Sequence, residues 1–199
     1  MKKSILLILL LVLAGCGNVK VQEGYGNQLS SFTATDEEGK TFNTKEMKGK
    51  VWLVDFIFTK CETVCPPMTK NMSDVTDELE KKGVKDYGIL SMSVDPEVDS
   101  PTKLKNYVKD LDQTDGKWKL VTGYKPREIA DFAAKNFKAL VAAPTIGTDQ
   151  ATHGTSFYLI DQNGKVIKDY VGKDTGQEEF PKNEIVKDVK TLINKGPVK

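Results

Sequence analysis

The 199-residue sequence is poor in residue types that carry much of protein chemistry: it has one histidine, one arginine and three cysteines. It has no internal repeat and no low-complexity tract. Basic and acidic residues nearly balance, with a formal net charge of +1. Because no basic block is present, nothing indicates a nucleic-acid partner. A hydrophobic fraction of 39% and a charged fraction of 29% predict one soluble globular domain with short appendages.

The N-terminus has the pattern of a targeting segment. Lys2 and Lys3 precede the apolar run 5–13, which is too short to span a bilayer comfortably. The run ends in Leu-Ala-Gly-Cys, which resembles the lipobox of bacterial lipoproteins, and that resemblance makes Cys16 the first mature residue and the site of lipid attachment. We therefore expect a signal peptide over residues 1–15 and a chain anchored to the outer face of the cytoplasmic membrane. Residues 16–29 are predicted to be a flexible tether and residues 30–199 the folded domain.

Cys61 and Cys65, the remaining cysteines, are separated by three residues, too close for a disulfide between them to stabilise the fold much. They follow the apolar run 51–58, which predicts a buried central strand, and they precede a segment of helical periodicity. Pro66 predicts that Cys65 is the N-cap of this helix and that Cys61 lies in the loop before it. Because a helix N-terminus favours negative charge, we expect both sulfurs to favour the thiolate. Outside the cytoplasm such a pair is redox-active, metal-binding or both.

The remaining chain alternates strand and helix patterns. The sequence predicts an N-terminal hairpin over 32–43, a helical turn at 44–47, strands at 87–94, 118–123, 156–161 and 165–170, and helices starting near 66, 101, 126 and 185. The last two strands are joined by an Asn-Gly turn. This order predicts an α/β fold with a parallel centre and antiparallel edges. It resembles the thioredoxin fold with a hairpin added before the first core strand.

His153 lies in the loop that precedes the strand predicted at 156–161. Taken alone, a single histidine is more often a surface or half-buried residue than a ligand. In a thioredoxin-like fold, however, this loop lies against the cysteine loop, and thioredoxins carry a cis-proline there. The sequence has no proline in the immediate approach to the strand and has His153 nearby instead. We therefore expect the imidazole to face Cys61 and Cys65.

Two thiolates and one imidazole suit few metals. Soft thiolates favour Cu(I) and zinc, and imidazole suits copper, zinc and iron. A structural zinc site normally has four protein ligands, whereas this set offers three. A catalytic zinc site with an open position is disfavoured because no general acid or base is arranged nearby. Copper is therefore the favoured metal, and an incomplete ligand shell suits a carrier that passes the ion on.

Three motifs resemble the Sco/SenC family in their order and spacing: residues 58–66 around the cysteine pair, residues 91–97 and residues 152–161. The likeness covers roughly residues 30–195. It implies a membrane-tethered, thioredoxin-like copper-binding protein that helps to build the dinuclear copper centre of cytochrome c oxidase subunit II. Cys61, Cys65 and His153 match the family's copper ligands, and Asp95 matches the acidic residue that follows the second core strand. We expect copper, as Cu(I) or Cu(II), to be the bound metal, and the protein to be monomeric.

One other function remains open, and a third is disfavoured. A thiol–disulfide reductase that keeps the cysteines of the oxidase copper site reduced would use Cys61 and Cys65 as a redox-active pair, since the spacing only retunes the potential and the thiol pKa. A thiol peroxidase needs an arginine beside its cysteine, and Arg127 is on a distant predicted helix.

Asp95 is most simply a residue that caps a turn, with a role near the ligands or in partner contact as the alternative. Met68 and Met72 are expected in the core before they are expected as accessory ligands.

Overall fold

The computed structural model describes residues 18–109 and 116–199. The strands are β1 (Thr33–Asp36), β2 (Thr41–Asn43), β3 (Val51–Ile57), β4 (Tyr87–Ser93), β5 (Trp118–Thr122), β6 (Ser156–Ile160) and β7 (Val166–Val171). The helices are α1 (Cys65–Lys81), α2 (Pro101–Val108), α3 (Pro126–Phe137) and α4 (Lys182–Lys195), with a 3₁₀ turn at Thr44–Met47. Every element predicted from the sequence is present, and the predicted ends lie within three residues of the observed ones.

The strands form one seven-stranded sheet in the order β2-β1-β5-β4-β3-β6-β7. The β3–β4 and β4–β5 pairs are parallel, while β1, β2, β6 and β7 pair antiparallel. All seven residues of β3 are buried, as expected for a continuous apolar strand covered on both faces. The α/β fold with a parallel centre and antiparallel edges is therefore confirmed, as is the thioredoxin-like arrangement with an added hairpin.

Helix α1 begins at the carboxyl end of β3, crosses the sheet and packs against α4. Its predicted apolar stripe is fully buried and consists of Met68, Met72, Val75 and Leu79. The two methionines therefore belong to the core, in agreement with their spacing. Ser100 caps α2, because its Oγ accepts a hydrogen bond from the N–H of Lys103 and Pro101 occupies the first turn. The sequence spacing places Leu104, Tyr107, Val108 and Leu111 on one face of this helix, and Leu111 lies outside the described residues.

Residues 18–29 differ from the predicted tether. The N–H groups of Gln22, Gly26 and Leu29 donate to backbone carbonyls of the β6–β7 hairpin, and Val19 is buried. The physical reason is that β7 is an edge strand, whose unpaired polar groups are satisfied when another segment covers them. Composition alone does not reveal this pairing, because the segment is polar and contains glycine. The predicted signal peptide and Cys16 lie outside the described residues.

None of the helices in 18–109 and 116–199 combines the length and the apolar character needed to cross a bilayer.

Candidate metal centre

Cys61 and Cys65 flank the start of α1 at the carboxyl end of β3, where open α/β sheets place their sites. Cys61 lies in the loop, as predicted. Cys65 is the first helical residue rather than the N-cap, which is Val64 in a helical backbone conformation. The reason is local: the backbone N–H of Cys65 donates to the Cys61 sulfur at 3.2 Å, so a side chain from the preceding loop satisfies the first free N–H of the helix.

The loop that carries Cys61 is held by Asp99, a buried residue that the sequence motifs did not single out. Its carboxylate accepts hydrogen bonds from the backbone N–H and the hydroxyl of Thr59, and from the hydroxyl of Ser93. These bonds attach the cysteine loop to the end of β4. The only sequence signal for Asp99 is its place just before the capping residue Ser100, which predicts exposure at a helix start rather than burial under the loop.

His153 approaches the cysteines from the loop before β6, as expected. Its Nε2 lies 3.2 Å from the Sγ of Cys65. Its Nδ1 lies 2.8 Å from the carbonyl oxygen of Gly154, which can only accept a hydrogen bond. In the neutral ring the proton is therefore on Nδ1, and the lone pair of Nε2 faces the sulfurs. The ring also makes an edge contact with Phe58, at 5.7 Å between centroids.

The ligand atoms of Cys61, Cys65 and His153 lie within 4.8 Å of one another. Three ligands about 2.0–2.3 Å from a common metal stand roughly 3.5–4 Å apart, so the observed separations bracket those of a three-coordinate site. Both cysteines are free thiols in the structure, and both are buried, Cys65 completely. The donor set and its geometry therefore fit a soft thiolate-binding ion such as copper.

Burial, and not the helix N-terminus, dominates the ionisation of the buried thiol. It raises the pKa of Cys65 far above its ordinary value, with the neighbouring Cys61 adding to the effect. The expectation that the helix start makes this sulfur a thiolate in the metal-free protein is therefore wrong. Burial lowers the pKa of His153, against the opposing hydrogen bond to Gly154, so the ring is neutral near pH 7. A neutral imidazole is the form that binds a metal.

Gly172, at the end of β7, connects α1 to the histidine loop. Its N–H donates to the carbonyl oxygen of Thr155 at 2.6 Å, and its own carbonyl accepts from the side-chain amide of Asn71 at 2.9 Å. A Cβ at this position would lie 2.6 Å from the Thr155 oxygen and 2.9 Å from Phe157, so only glycine allows the close approach. No sequence motif marked Gly172, because it does not need an unusual backbone conformation.

Asp95 lies beside the site rather than in the group of converging ligand atoms. It is buried at the end of β4, and its N–H donates to the hydroxyl of Ser93. Burial raises its carboxyl pKa, and the neighbouring Asp99 adds to the effect. Together with Lys60, Asp95 lines a cavity next to the cysteine loop. Its backbone carbonyl accepts from the N–H groups of Val98 and Asp99, which agrees with the simpler prediction of a turn residue.

Comparisons with known proteins agree with this geometry. The family model described as SCO1/SenC matches residues 22–194. A crystal structure of a SCO1/SenC family lipoprotein from Bacillus anthracis str. Ames has a TM-score of 0.77 and 43% identity, covering 83% of this chain and 95% of that one. BsSco, reported with a disulfide switch and as a member of the Sco family of cytochrome c oxidase assembly proteins, has a TM-score of 0.75 and 42% identity over 86% and 96% of the two chains.

A third similar structure contains the metal itself. ScoI from Bradyrhizobium japonicum, with copper bound, has a TM-score of 0.66 and 29% identity over 82% of this chain and 98% of that one. Homologues with this fold therefore bind copper, and the residues that converge here fit the same ion. On its match to the family model and on this fold, the chain belongs to the SCO1/SenC family.

Proposed function

We propose that the chain is a membrane-anchored copper carrier that serves the assembly of the dinuclear copper centre of cytochrome c oxidase subunit II. The observation that carries the proposal is the convergence of the two cysteine sulfurs and the His153 imidazole to within 4.8 Å. Three soft or borderline ligands bind copper and leave room for a further ligand. An incomplete shell is what a protein needs in order to release its cargo to a partner.

The three ligands differ in their burial and in the contacts that hold them. Cys65 is fixed in the first turn of α1, and Cys61 is oriented by the hydrogen bond from the Cys65 N–H. His153 is only half-buried, and its Nδ1 bonds to the carbonyl of the next residue in the same loop. We expect transfer by ligand exchange, in which a cysteine or histidine of the target takes the open position and His153 leaves before either sulfur.

The choice of target rests on the family. BsSco is described as belonging to a family of cytochrome c oxidase assembly proteins, and ScoI of Bradyrhizobium japonicum binds copper. Subunit II is the proposed partner because the resemblance to the Sco/SenC family implies a role in building its dinuclear copper centre. We expect a monomer, in which the half-buried His153 is the ligand most accessible to the partner.

The proposed anchor is a lipid on Cys16, at the outer face of the cytoplasmic membrane. The Leu-Ala-Gly-Cys sequence supports it, as does the description of the Bacillus anthracis relative as a lipoprotein. Two acyl chains on one cysteine give stable anchoring, whereas one chain gives only marginal binding. Mass spectrometry of the N-terminal peptide of the mature chain tests this part: a diacylglyceryl group on Cys16 is expected, and an unmodified cysteine would contradict the anchor.

A thiol–disulfide reductase is the second candidate. It is favoured by the two free thiols three residues apart and by the disulfide switch reported for BsSco. Oxidation of Cys61 and Cys65 to a disulfide releases two electrons and two protons, which a target disulfide takes up as it becomes a dithiol. The same oxidation removes both sulfur ligands, so the two activities exclude each other at any one moment.

His153→Ala separates the two functions. We expect the variant to lose copper affinity by orders of magnitude and to fail in oxidase assembly in cells, while the reduced dithiol still reduces a model disulfide. Thr152→Ala, at the neighbouring exposed position, is the matched control and should behave as wild type. Normal oxidase assembly with His153→Ala would reject the carrier and favour the reductase.

A further inference from the structure

The end of the molecule opposite the metal centre is rich in lysine and positively charged. Helix α1 starts at Cys65 in the metal centre and ends at Lys81, a length of 17 residues. At 1.5 Å per residue it spans about 25 Å, so the residues just beyond it lie on the far side of the domain. The C-terminal half of α4 packs near this point, because Lys190 lines a groove together with Lys82 and Lys85.

Two grooves flank the last turns of α4, and lysines dominate their charge. One groove is lined by Lys82, Lys85 and Lys190, and the other by Lys195 and Lys199. Asp86 is the one acidic residue among the described residues that line them. We call these five lysines the basic end. Lys82 also pairs with Glu78, and Lys195 donates a hydrogen bond to the side chain of Asn18, so two of the cations already have protein partners.

The polypeptide joins the domain at the basic end. Asn18 and Val19 line the same groove as Lys195 and Lys199, and Val19 is buried. Asn18 is two positions after Cys16. Three residue steps separate Cys16 from Val19, and an extended chain covers at most about 11 Å in three steps. A lipid on Cys16 would therefore hold the basic end about one Debye length from the bilayer, where its charges still interact with the surface.

The metal end has the opposite charge. The cavity beside the cysteine loop is lined by three acidic residues, Asp95, Glu97 and Asp149, and by one cation, Lys60. A negatively charged surface attracts the basic end and repels this one. The domain is thus polarised along α1, with lysines near Asn18 and Val19 and carboxylates beside the metal centre.

We propose that the basic end binds the headgroups of an anionic phospholipid bilayer, which turns the metal centre away from the membrane and towards its partner. The proposal rests on the anchor proposed at Cys16. Lysines within a Debye length of an anionic leaflet are attracted to it, and salt weakens that attraction. The membrane therefore binds the protein both through the lipid and through one face of the domain, which gives the domain a fixed orientation.

The test uses the mature lipid-modified chain in vesicles of phosphatidylcholine alone and of phosphatidylcholine with phosphatidylglycerol. Hydrogen–deuterium exchange is measured by mass spectrometry in both. We expect slower exchange at residues 82–86 and 190–199 on the anionic vesicles only, loss of that protection at high salt, and no change at residues 145–155. Equal exchange at the basic end on both vesicles, or protection of residues 145–155 instead, would overturn the proposal.

A charge-reversal variant sharpens the result. Lys190→Glu, Lys195→Glu and Lys199→Glu together should abolish the difference between the two vesicles. The matched control reverses three exposed lysines outside the grooves, Lys109, Lys125 and Lys135, and should keep it. Unchanged exchange in β3 and β4 verifies the fold of each variant, and if the triple reversal unfolds, Lys195→Gln with Lys199→Gln replaces it. A difference that persists in the folded variant would reject the basic end as the lipid-binding face.

Failure of the anchor is distinguishable from failure of this proposal. If Cys16 carries no lipid, the same unmodified chain is sedimented with phosphatidylglycerol vesicles at low and high salt. Salt-sensitive binding that is lost on reversal of Lys190, Lys195 and Lys199 would uphold the basic end without the anchor. No binding to those vesicles would reject the basic end independently of the lipid.

Discussion

The side-chain amide of Asn71 on α1 donates a 2.9 Å hydrogen bond to the carbonyl oxygen of Gly172 at the end of β7. Gly172 in turn donates to Thr155, two residues beyond His153. The helix that begins at Cys65 is thereby connected to the loop that supplies the imidazole. The position of the histidine loop relative to α1 thus depends on contacts made six residues beyond Cys65 and two residues beyond His153, and not on the two loops alone.

Gly172→Ala should weaken copper binding, because the new Cβ would meet the Thr155 oxygen at 2.6 Å and push the histidine loop away from α1. Loss of such supporting contacts typically costs about 10- to 100-fold in metal affinity. The measurement is a competitive titration with a Cu(I) chelator. Gly154→Ala is the matched control, since its Cβ would point into open space and the affinity should hardly change. Wild-type affinity in Gly172→Ala would show that the loop position does not depend on this contact.

Asp99→Ala should destabilise the domain and loosen the cysteine loop. It removes a buried acceptor of hydrogen bonds from Thr59 and Ser93 and leaves their donors unsatisfied, a loss of about 2–4 kcal/mol in the free energy of unfolding. Urea unfolding of the reduced protein measures it. Asp131→Ala, at an exposed position on α3 paired with exposed Arg127, is the control and should stay within about 0.5 kcal/mol of wild type. An equal effect of the two substitutions would contradict the assignment.

The stability of the domain should depend on pH because of the buried carboxyl group of Asp55. Asp55 is fully buried on β3, its Oδ1 accepts from the hydroxyl of Ser91, and its Oδ2 has no hydrogen-bond partner among the described residues. Burial raises its pKa to about 7. Between the ordinary carboxyl pKa and about 7, the folded state keeps a proton that the unfolded state has lost. The free energy of unfolding should therefore fall as pH rises through this window, by up to about 4 kcal/mol, and level off above it.

Asp55→Asn should remove most of that fall, because an amide does not titrate. Urea unfolding at about pH 5 and about pH 8 gives the comparison, with the variant gaining stability relative to wild type at the higher pH. Asp131→Asn, with an exposed side chain, should follow the wild-type pH dependence. Parallel pH profiles for wild type and Asp55→Asn would contradict a protonated Asp55 in the folded protein.

The regular elements could be predicted from the sequence because their signals are local. Apolar periodicity locates β3 and α1, and Ser100 with Pro101 marks the start of α2. The match between His153 and the cysteines followed from the fold, since the loop before β6 meets the carboxyl end of β3 in any sheet of this order. The resemblance to the thioredoxin fold thus predicted that residues 88 positions apart lie together.

The remaining features depend on contacts and burial that no sequence pattern reports. The N-cap is Val64 and not Cys65, because the Cys61 sulfur in the preceding loop accepts a hydrogen bond from the first free N–H of the helix. Residues 18–29 pair with the β6–β7 hairpin because an edge strand was available to them. Asp99 and Gly172 position the two ligand loops through hydrogen bonds to residues distant in the sequence. Neither has a distinctive sequence environment. The prediction of a low pKa for Cys65 was wrong for a similar reason, because the effect of burial on the pKa outweighs that of the helix N-terminus.

The central claim is that Cys61, Cys65 and His153 together bind copper. X-ray absorption spectroscopy of the reduced protein loaded with one equivalent of Cu(I) tests it most directly, with His153→Ala as the comparison. We expect two sulfur neighbours and one imidazole nitrogen in the wild type, and loss of the imidazole signal with both sulfurs retained in the variant. Identical spectra for the two proteins, or a copper site without imidazole in the wild type, would contradict it.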